Sequence, residues 1–120
     1  MVLVDTSIWI DHFHRGDSHL ADLLNSGQVV THPFVIGELA CGNLMNHQTI
    51  LDLLQALSQV KTLFDDEVLA FMDRHTLHGK GLGLIDMHLL ASSFLNHVSL
   101  WTRDKTLAGM ATILRVVHQH

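Results

Sequence analysis

The opening residues constrain the fold most. Met1-Val2-Leu3-Val4 is a short apolar, largely β-branched run, and Asp5-Thr6-Ser7 turns it at once into the helix signal of Ile8-Trp9-Ile10. A buried strand that passes directly into a helix points to an α/β arrangement, and the passage recurs along the chain. Gln28-Val29-Val30-Thr31 reads as a second strand, followed by a helix opened by His32-Pro33, where the missing N–H of proline costs nothing. That helix is expected to run to about Asn43. Val60 to Phe64 is a candidate third strand, and Ser99-Leu100-Trp101-Thr102 a fourth.

Between these runs lie further helical segments. The first helix begins at Ser7 and stops near Arg15-Gly16-Asp17. A second covers Leu20 to Asn25, with Gly27 as its C-cap. Others are expected over Gln48–Leu57 and from Asp65-Asp66-Glu67, three acids where the helix dipole favours negative charge, through Leu77. Leu84 to Asn96 is almost entirely apolar and reads as a buried helix, Thr106 to Ala111 as a short one, and Ile113 to Val117 as a last edge strand or tail. Strands alternating with helices imply a parallel sheet covered on both faces. No linker or repeat interrupts the pattern, so residues 1–120 are expected to form a single domain.

Composition narrows the function classes. Hydrophobic residues make up 48% of the chain and proline occurs once, which argues against disorder. No apolar run reaches the roughly 18 residues of a membrane span, and no leader pattern opens the chain. The single cysteine, Cys41, can form no internal disulfide; it fits a reducing, cytoplasmic setting and reads as buried packing. A net charge of −5 argues against a broadly basic nucleic-acid surface, although Arg15, Lys80, Arg103 and Lys105 lie near acids in sequence and could form a local positive rim.

Four acids stand in apolar surroundings at element ends. Asp5 follows the first strand, where ligands gather in open α/β sheets, yet Asp, Ser and Thr are also the usual helix N-caps. Glu38 lies in Phe34-Val35-Ile36-Gly37-Glu38-Leu39-Ala40 and, taken alone, reads as a solvated helix position. Asp86, in Gly83-Leu84-Ile85-Asp86-Met87-His88-Leu89-Leu90-Ala91, is either an N-cap after glycine or a site residue, since an unpartnered carboxylate there is costly to bury. Asp104 follows the strand at Leu100-Trp101-Thr102, and its structural role is to cap the helix at Lys105. Carboxylates gathered within about 5 Å repel by about 3 kcal/mol per pair at an effective dielectric near 20, so a fold that collects them needs a cation or shared protons. An all-oxygen set suits Mg²⁺ or Mn²⁺, and such an ion can activate water and stabilise charge on a phosphoryl group.

With Val4-Asp5-Thr6-Ser7, Pro33 to Ala40, Gly83 to Ser92 and Leu100-Trp101-Thr102-Arg103-Asp104 in this order, the chain resembles the PIN-domain ribonucleases, specifically the VapC-type toxins of bacterial toxin–antitoxin pairs. Each motif is weak alone; the four in register span nearly the whole chain. The resemblance implies a three-layer α/β/α sandwich with a short parallel sheet. It implies a metal-dependent endoribonuclease whose acidic quartet, Asp5, Glu38, Asp86 and Asp104, holds Mg²⁺ or Mn²⁺ and does the catalysis. Thr6, Ser7 or Thr102 would orient one of these acids or a water on the ion. It further implies an RNA substrate, an antitoxin partner whose segment occludes the site, and a homodimer. No diagnostic motif marks Asn43 to Lys80.

Other constellations are weaker. His12-x-His14, His75-x-x-His78 and His118-x-His120 have spacings open to a transition metal, but no second cysteine and no His-Glu-x-x-His accompanies them. His88 lies two residues after Asp86 and so off its helix face. The glycines of 79–83 lack the phosphate-loop pattern and read as a hinge. Trp9, Phe13 and Phe34 read as core or contact residues before they read as base-stacking ones. Two rival functions remain: an aspartate-based phosphotransfer domain using Asp5, from which the Asp-x-Asp pattern is missing because Ser7 takes the third position, and an inactive PIN-like partner-binding module.

Overall fold

The computed structural model describes residues 1–119. Strand β1 (Val2–Val4) leads into helix α1 (Thr6–Arg15), and α2 (Ser18–Asn25) returns the chain to β2 (Val29–Thr31). Helices α3 (Pro33–Cys41) and α4 (His47–Ala56) lead to β3 (Ser58–Gln59). Helices α5 (Asp65–His75) and α6 (Leu84–Asn96) lead to β4 (Ser99–Trp101), and α7 (Lys105–Ile113) follows.

All strand pairings are parallel, in the order β3-β2-β1-β4. Val2 lies level with Val29 on one side and Ser99 on the other, and Val4 with Trp101. The chain first steps outward from β1 to β2 to β3, then crosses back to add β4 on the opposite side of β1. Because parallel crossovers are right-handed, that reversal sends α5 and α6 to the face opposite α1 to α4. The contacts agree, with α1 on α3 and α3 on α4, against α5 on α6 and α6 on β4. The result is a three-layer α/β/α sandwich around a short parallel sheet. Both faces of the sheet are sealed, and Leu3, Val4, Ile8, Leu20, Val35, Leu39, Leu89, Leu90, Leu100 and Leu107 are 0 to 1% exposed.

Local chemistry explains most element ends. Helix α2 closes in a Schellman motif: Gly27 sits at φ +70°, its N–H bonds Leu24 O, and Gln28 N–H bonds Leu23 O. Helix α7 starts from an Asp104 cap, and α3 from a His32 cap with Pro33 following.

Several expectations need correction. The third strand is not Val60–Phe64 but the exposed pair Ser58–Gln59; only the Val60 N–H reaches Thr31 O, and Phe64 becomes the N-cap residue of α5 with its ring 78% exposed. An outer strand needs few backbone bonds, so the longer run continues as coil with only Val60 buried. Cys41 is exposed rather than buried, because α3 ends at that residue instead of running to Asn43. Helix α6 is buried from Met87 to Ser93 only; Leu84, Ile85 and Leu95 face solvent. Ile113 belongs to α7, and the tail adds a single parallel bridge between Leu100 and Val117.

Candidate active site

In a doubly wound sheet the crevice that accepts ligands opens at the carboxyl ends of the strands where the strand order reverses. Here that point lies between β1 and β4, whose ends deliver Asp5 and Thr102. Asp5 stands at the N-cap position of α1, yet its side chain makes no capping bond. Its Oδ2 instead accepts from Thr102 Oγ1 at 2.7 Å and from Ser7 Oγ at 3.0 Å. Each hydroxyl is itself fixed: Ser7 Oγ accepts the Arg103 N–H at 3.0 Å, and Thr102 Oγ1 accepts the Asp104 N–H at 3.0 Å. The two strand ends are thus stitched across the crevice through one buried carboxylate that is 8% exposed.

Asp104 keeps its structural role, since Oδ1 accepts the Leu107 N–H at 3.0 Å and caps α7. Glu38 lies on the exposed side of α3, where Thr6 Oγ1 donates to its Oε1 at 2.7 Å and ties α1 to α3. Asp86 is not a cap. Gly83 is the N-cap residue of α6, and Asp86, three residues on, is half-buried. Its carboxyl is pushed above the usual aspartate range, first by burial; the Gly83 backbone bond opposes this, and the charges of Asp5, Asp104 and Glu38 add to it. Asp86 therefore senses all three other acids. Asp5, Glu38 and Asp104 each commit one oxygen to a protein donor and leave the other without a bond among the described residues.

Among the described residues, no three Asp, Glu, His or Cys side chains close on a common point as a ready metal centre. The expected histidine pairs do not supply one either, and His120 lies outside the described residues.

The positive rim is partly cancelled. Arg103 Nε binds Asp11 Oδ2 at 2.7 Å and its Nη2 reaches Asp17 at 3.2 Å, while Arg15 lies 3.4 Å from Asp11. The Arg103 hydrogen bond is the main reason that Asp11 titrates below the ordinary carboxylate range. Lys80 and Lys105 are exposed. The glycine connector carries Lys80 past the first turn of α7, where a Cβ on Gly81 would meet Thr106 Cγ2 at 3.8 Å.

Sequence reading missed a second polar group. His88, 2% exposed within α6, holds Asp65 Oδ1 through Nε2 at 2.7 Å, and His32, 1% exposed, caps α3 through Nδ1. The available signal was a histidine amid an apolar helical run; what it would touch depended on the packing of α5. On the opposite flank of α1, an open groove of about 350 Å³ is lined largely by Trp9, Phe13, Leu24, Ile50, Leu53 and Leu57.

Comparison with known proteins agrees with this architecture. Residues 2–113 match the family described as PIN domain. Ribonuclease VapC32 of Mycobacterium tuberculosis, in strains CDC 1551 / Oshkosh and ATCC 25618 / H37Rv, is 44% identical over 108 residues, covering 89% of this chain and 87% of the relative. The crystal structure of PAE2754 from Pyrobaculum aerophilum aligns with a TM-score of 0.61 over 95% of this chain and 88% of its own. At 16% identity, that likeness speaks for the fold alone.

Proposed function

Because the chain belongs to the PIN domain family, we propose that it is a metal-dependent endoribonuclease, the toxin of a toxin–antitoxin pair, with Asp5, Glu38, Asp86 and Asp104 as its acidic quartet. One observation carries the assignment: the four acids lie within electrostatic reach of one another at the end of the sheet where the strand order reverses, and the Asp86 carboxyl is raised first by burial and then by the charges of Asp5, Asp104 and Glu38. The naming of the 44% identical relatives as ribonucleases supports RNA as the substrate.

The donor set fits Mg²⁺ or Mn²⁺. These ions retain several waters and take only one or two carboxylates directly, so three side chains need not converge on a point in advance. Three of the acids also keep a free oxygen, and mutual repulsion within the set is relieved by a cation. Bound there, the ion would supply an activated water and offset charge developing on the phosphodiester. The protein's own part is orientation. Ser7 and Thr102 hold the Asp5 carboxylate in one rotamer, Thr6 holds Glu38, and the Asp104 cap fixes that side chain at the mouth. Exposed Lys105, next to Asp104, and exposed Lys80, six residues before Asp86, would meet the RNA backbone as point charges.

The wider reading follows from the family: residues 1–120 act as one domain, form a homodimer, meet RNA in the cytoplasm and are silenced by an antitoxin protein. Phosphotransfer through Asp5 fits less well, because the carboxylate is 8% exposed and its Oδ2 already accepts two bonds.

The test is incubation of a mixed RNA pool, total tRNA included, with partner-free protein in Mn²⁺, in Mg²⁺ and in EDTA, beside Asp86→Asn. Discrete fragments that depend on metal and vanish in the variant are expected. Wild-type cleavage by Asp86→Asn would remove that residue from the quartet. Failure of the protein to bind Mn²⁺ in calorimetry would overturn the metal reading and favour an inactive partner-binding module.

A further inference from the structure

Two histidines are buried where α3 and α6 approach each other, and neither belongs to the proposed acidic set. His32 follows β2 and caps α3, six residues before Glu38; His88 lies on α6, two residues after Asp86. Their ring centroids are 6.3 Å apart at 68°. The Phe34 ring touches both, at 5.1 Å from His32 and 4.8 Å from His88.

The hydrogen-bond partners settle the tautomers. His32 Nδ1 accepts the Phe34 N–H at 3.0 Å, so in the neutral ring its proton sits on Nε2. His88 Nε2 faces Asp65 Oδ1 at 2.7 Å and therefore carries a proton, which in the neutral ring leaves a lone pair on Nδ1. His32 Nε2 and His88 Nδ1 are buried and have no partner among the described residues. One is a donor and the other an acceptor. The two orphans are complementary, so a water held between them would close a chain from the Phe34 N–H through both imidazoles to Asp65. A proton added to His32 would fall on Nδ1, against the Phe34 N–H and buried beside a second imidazole, which fits its titration being pushed down to about 4 by burial and by His88.

We propose that His32 and His88 form an oriented imidazole joint that fixes the spacing of α3 and α6, and so positions Glu38 against Asp86. The proposal rests on the reading of the four acids as the catalytic set. Neither histidine touches substrate on this account; both are positioning residues. Asp65 anchors the chain at the first turn of α5, so three helices share the joint.

The experiment compares His88→Leu, His88→Gln and His32→Asn with the wild-type protein in Mn²⁺-dependent cleavage of a single RNA. Thermal unfolding and a crystal structure of each variant are collected alongside. Leucine fills the space without polar atoms, glutamine restores a donor toward Asp65, and asparagine keeps the α3 cap while removing the ring. His88→Leu and His32→Asn should stay folded and lose about 10- to 100-fold in kcat, with KM for RNA nearly unchanged, as small misplacements of catalytic groups do. His88→Gln should recover most of that loss. The double variant His32→Asn/His88→Leu should be no worse than either single one, because a joint is broken once. A kcat for His88→Leu equal to wild type, or fully additive losses, would overturn the joint. If the wild-type protein cuts no RNA in Mn²⁺, the functional reading fails instead. The crystal structures still decide the joint: an unchanged separation of Glu38 and Asp86 in His88→Leu overturns it, and a shifted one upholds it.

Discussion

Asp104 carries two duties that substitution can separate. Its Oδ1 caps α7, and its charge is one of those felt by Asp86. Asparagine keeps the cap oxygen and removes the charge, whereas alanine removes both. Asp104→Asn is expected to hold wild-type stability in a urea titration, and Asp104→Ala to lose about 1 kcal/mol; both should lose RNA cleavage. Cleavage retained by Asp104→Asn would reduce the residue to a cap. Asp5 shows why such a choice was out of reach in sequence. A cap and a site acid both need a carboxylate after a strand, and the partner that decides between them, Thr102, lies 97 residues away. His32 offers a second test at this scale. Its folded value of about 4 lies below the ordinary value of 6.5, so the unfolded chain takes up the proton first as pH falls. Its contribution is complete above about pH 6.5 and is lost progressively down to about pH 4, a change of roughly 3 kcal/mol for this group. Asp86 works in the opposite sense, because its raised value favours the folded state on acidification. The diagnostic quantity is therefore a difference: His32→Asn should lose less stability than wild type between neutral pH and about pH 4, followed by denaturation at a series of pH values.

At the scale of elements, the two kinds of glycine in this chain predict opposite outcomes. Gly27 closes α2 at φ +70°, a conformation that costs an L-residue such as alanine about 1 to 2 kcal/mol. Gly37 lies inside α3 with no positive φ and nothing within 4 Å of an added Cβ. Gly27→Ala should therefore lower the urea midpoint, and Gly37→Ala should raise stability by up to about 1 kcal/mol through the lower entropy of the unfolded chain. If Gly27→Ala leaves the midpoint unchanged or raises it, the backbone assignment at Gly27 is wrong; if Gly37→Ala lowers stability, the open space assigned around Gly37 is wrong. The helices were legible because capping chemistry is local: Pro33, Gly27 and the acids at Asp65 each announce a boundary within a few residues. The third strand was not. Val60-Lys61-Thr62-Leu63-Phe64 has the stronger strand composition, but an edge position is decided by which backbone groups β2 leaves unpaired, and Ser58 and Gln59 meet Val30 and Thr31. The end of α3, and with it the exposure of Cys41, turns in the same way on packing against α4.

The whole molecule adds strand order, which no local pattern encodes, and with it the crevice between β1 and β4 that brings residues from both ends of the chain to one place. It also sets the electrostatics of RNA binding. The chain carries −5 with only seven basic residues, and two of these, Arg15 and Arg103, are held in ion pairs with Asp11 and Asp17. Of the other five, Lys80 and Lys105 are exposed and lie nearest the four acids in sequence. For a single strand, each neutralised phosphate contributes about −0.7 to the slope of log affinity against log salt, so two lysines give about −1.5. In EDTA, where the uncompensated acids also repel the backbone, RNA binding by fluorescence anisotropy should be weak and follow that shallow slope. Lys80→Ala/Lys105→Ala should bring it close to zero. A slope of about −4 or steeper would mean at least five phosphate contacts. That would require a basic face built from residues far from the crevice, and RNA would then be held mainly by the surface rather than at the crevice.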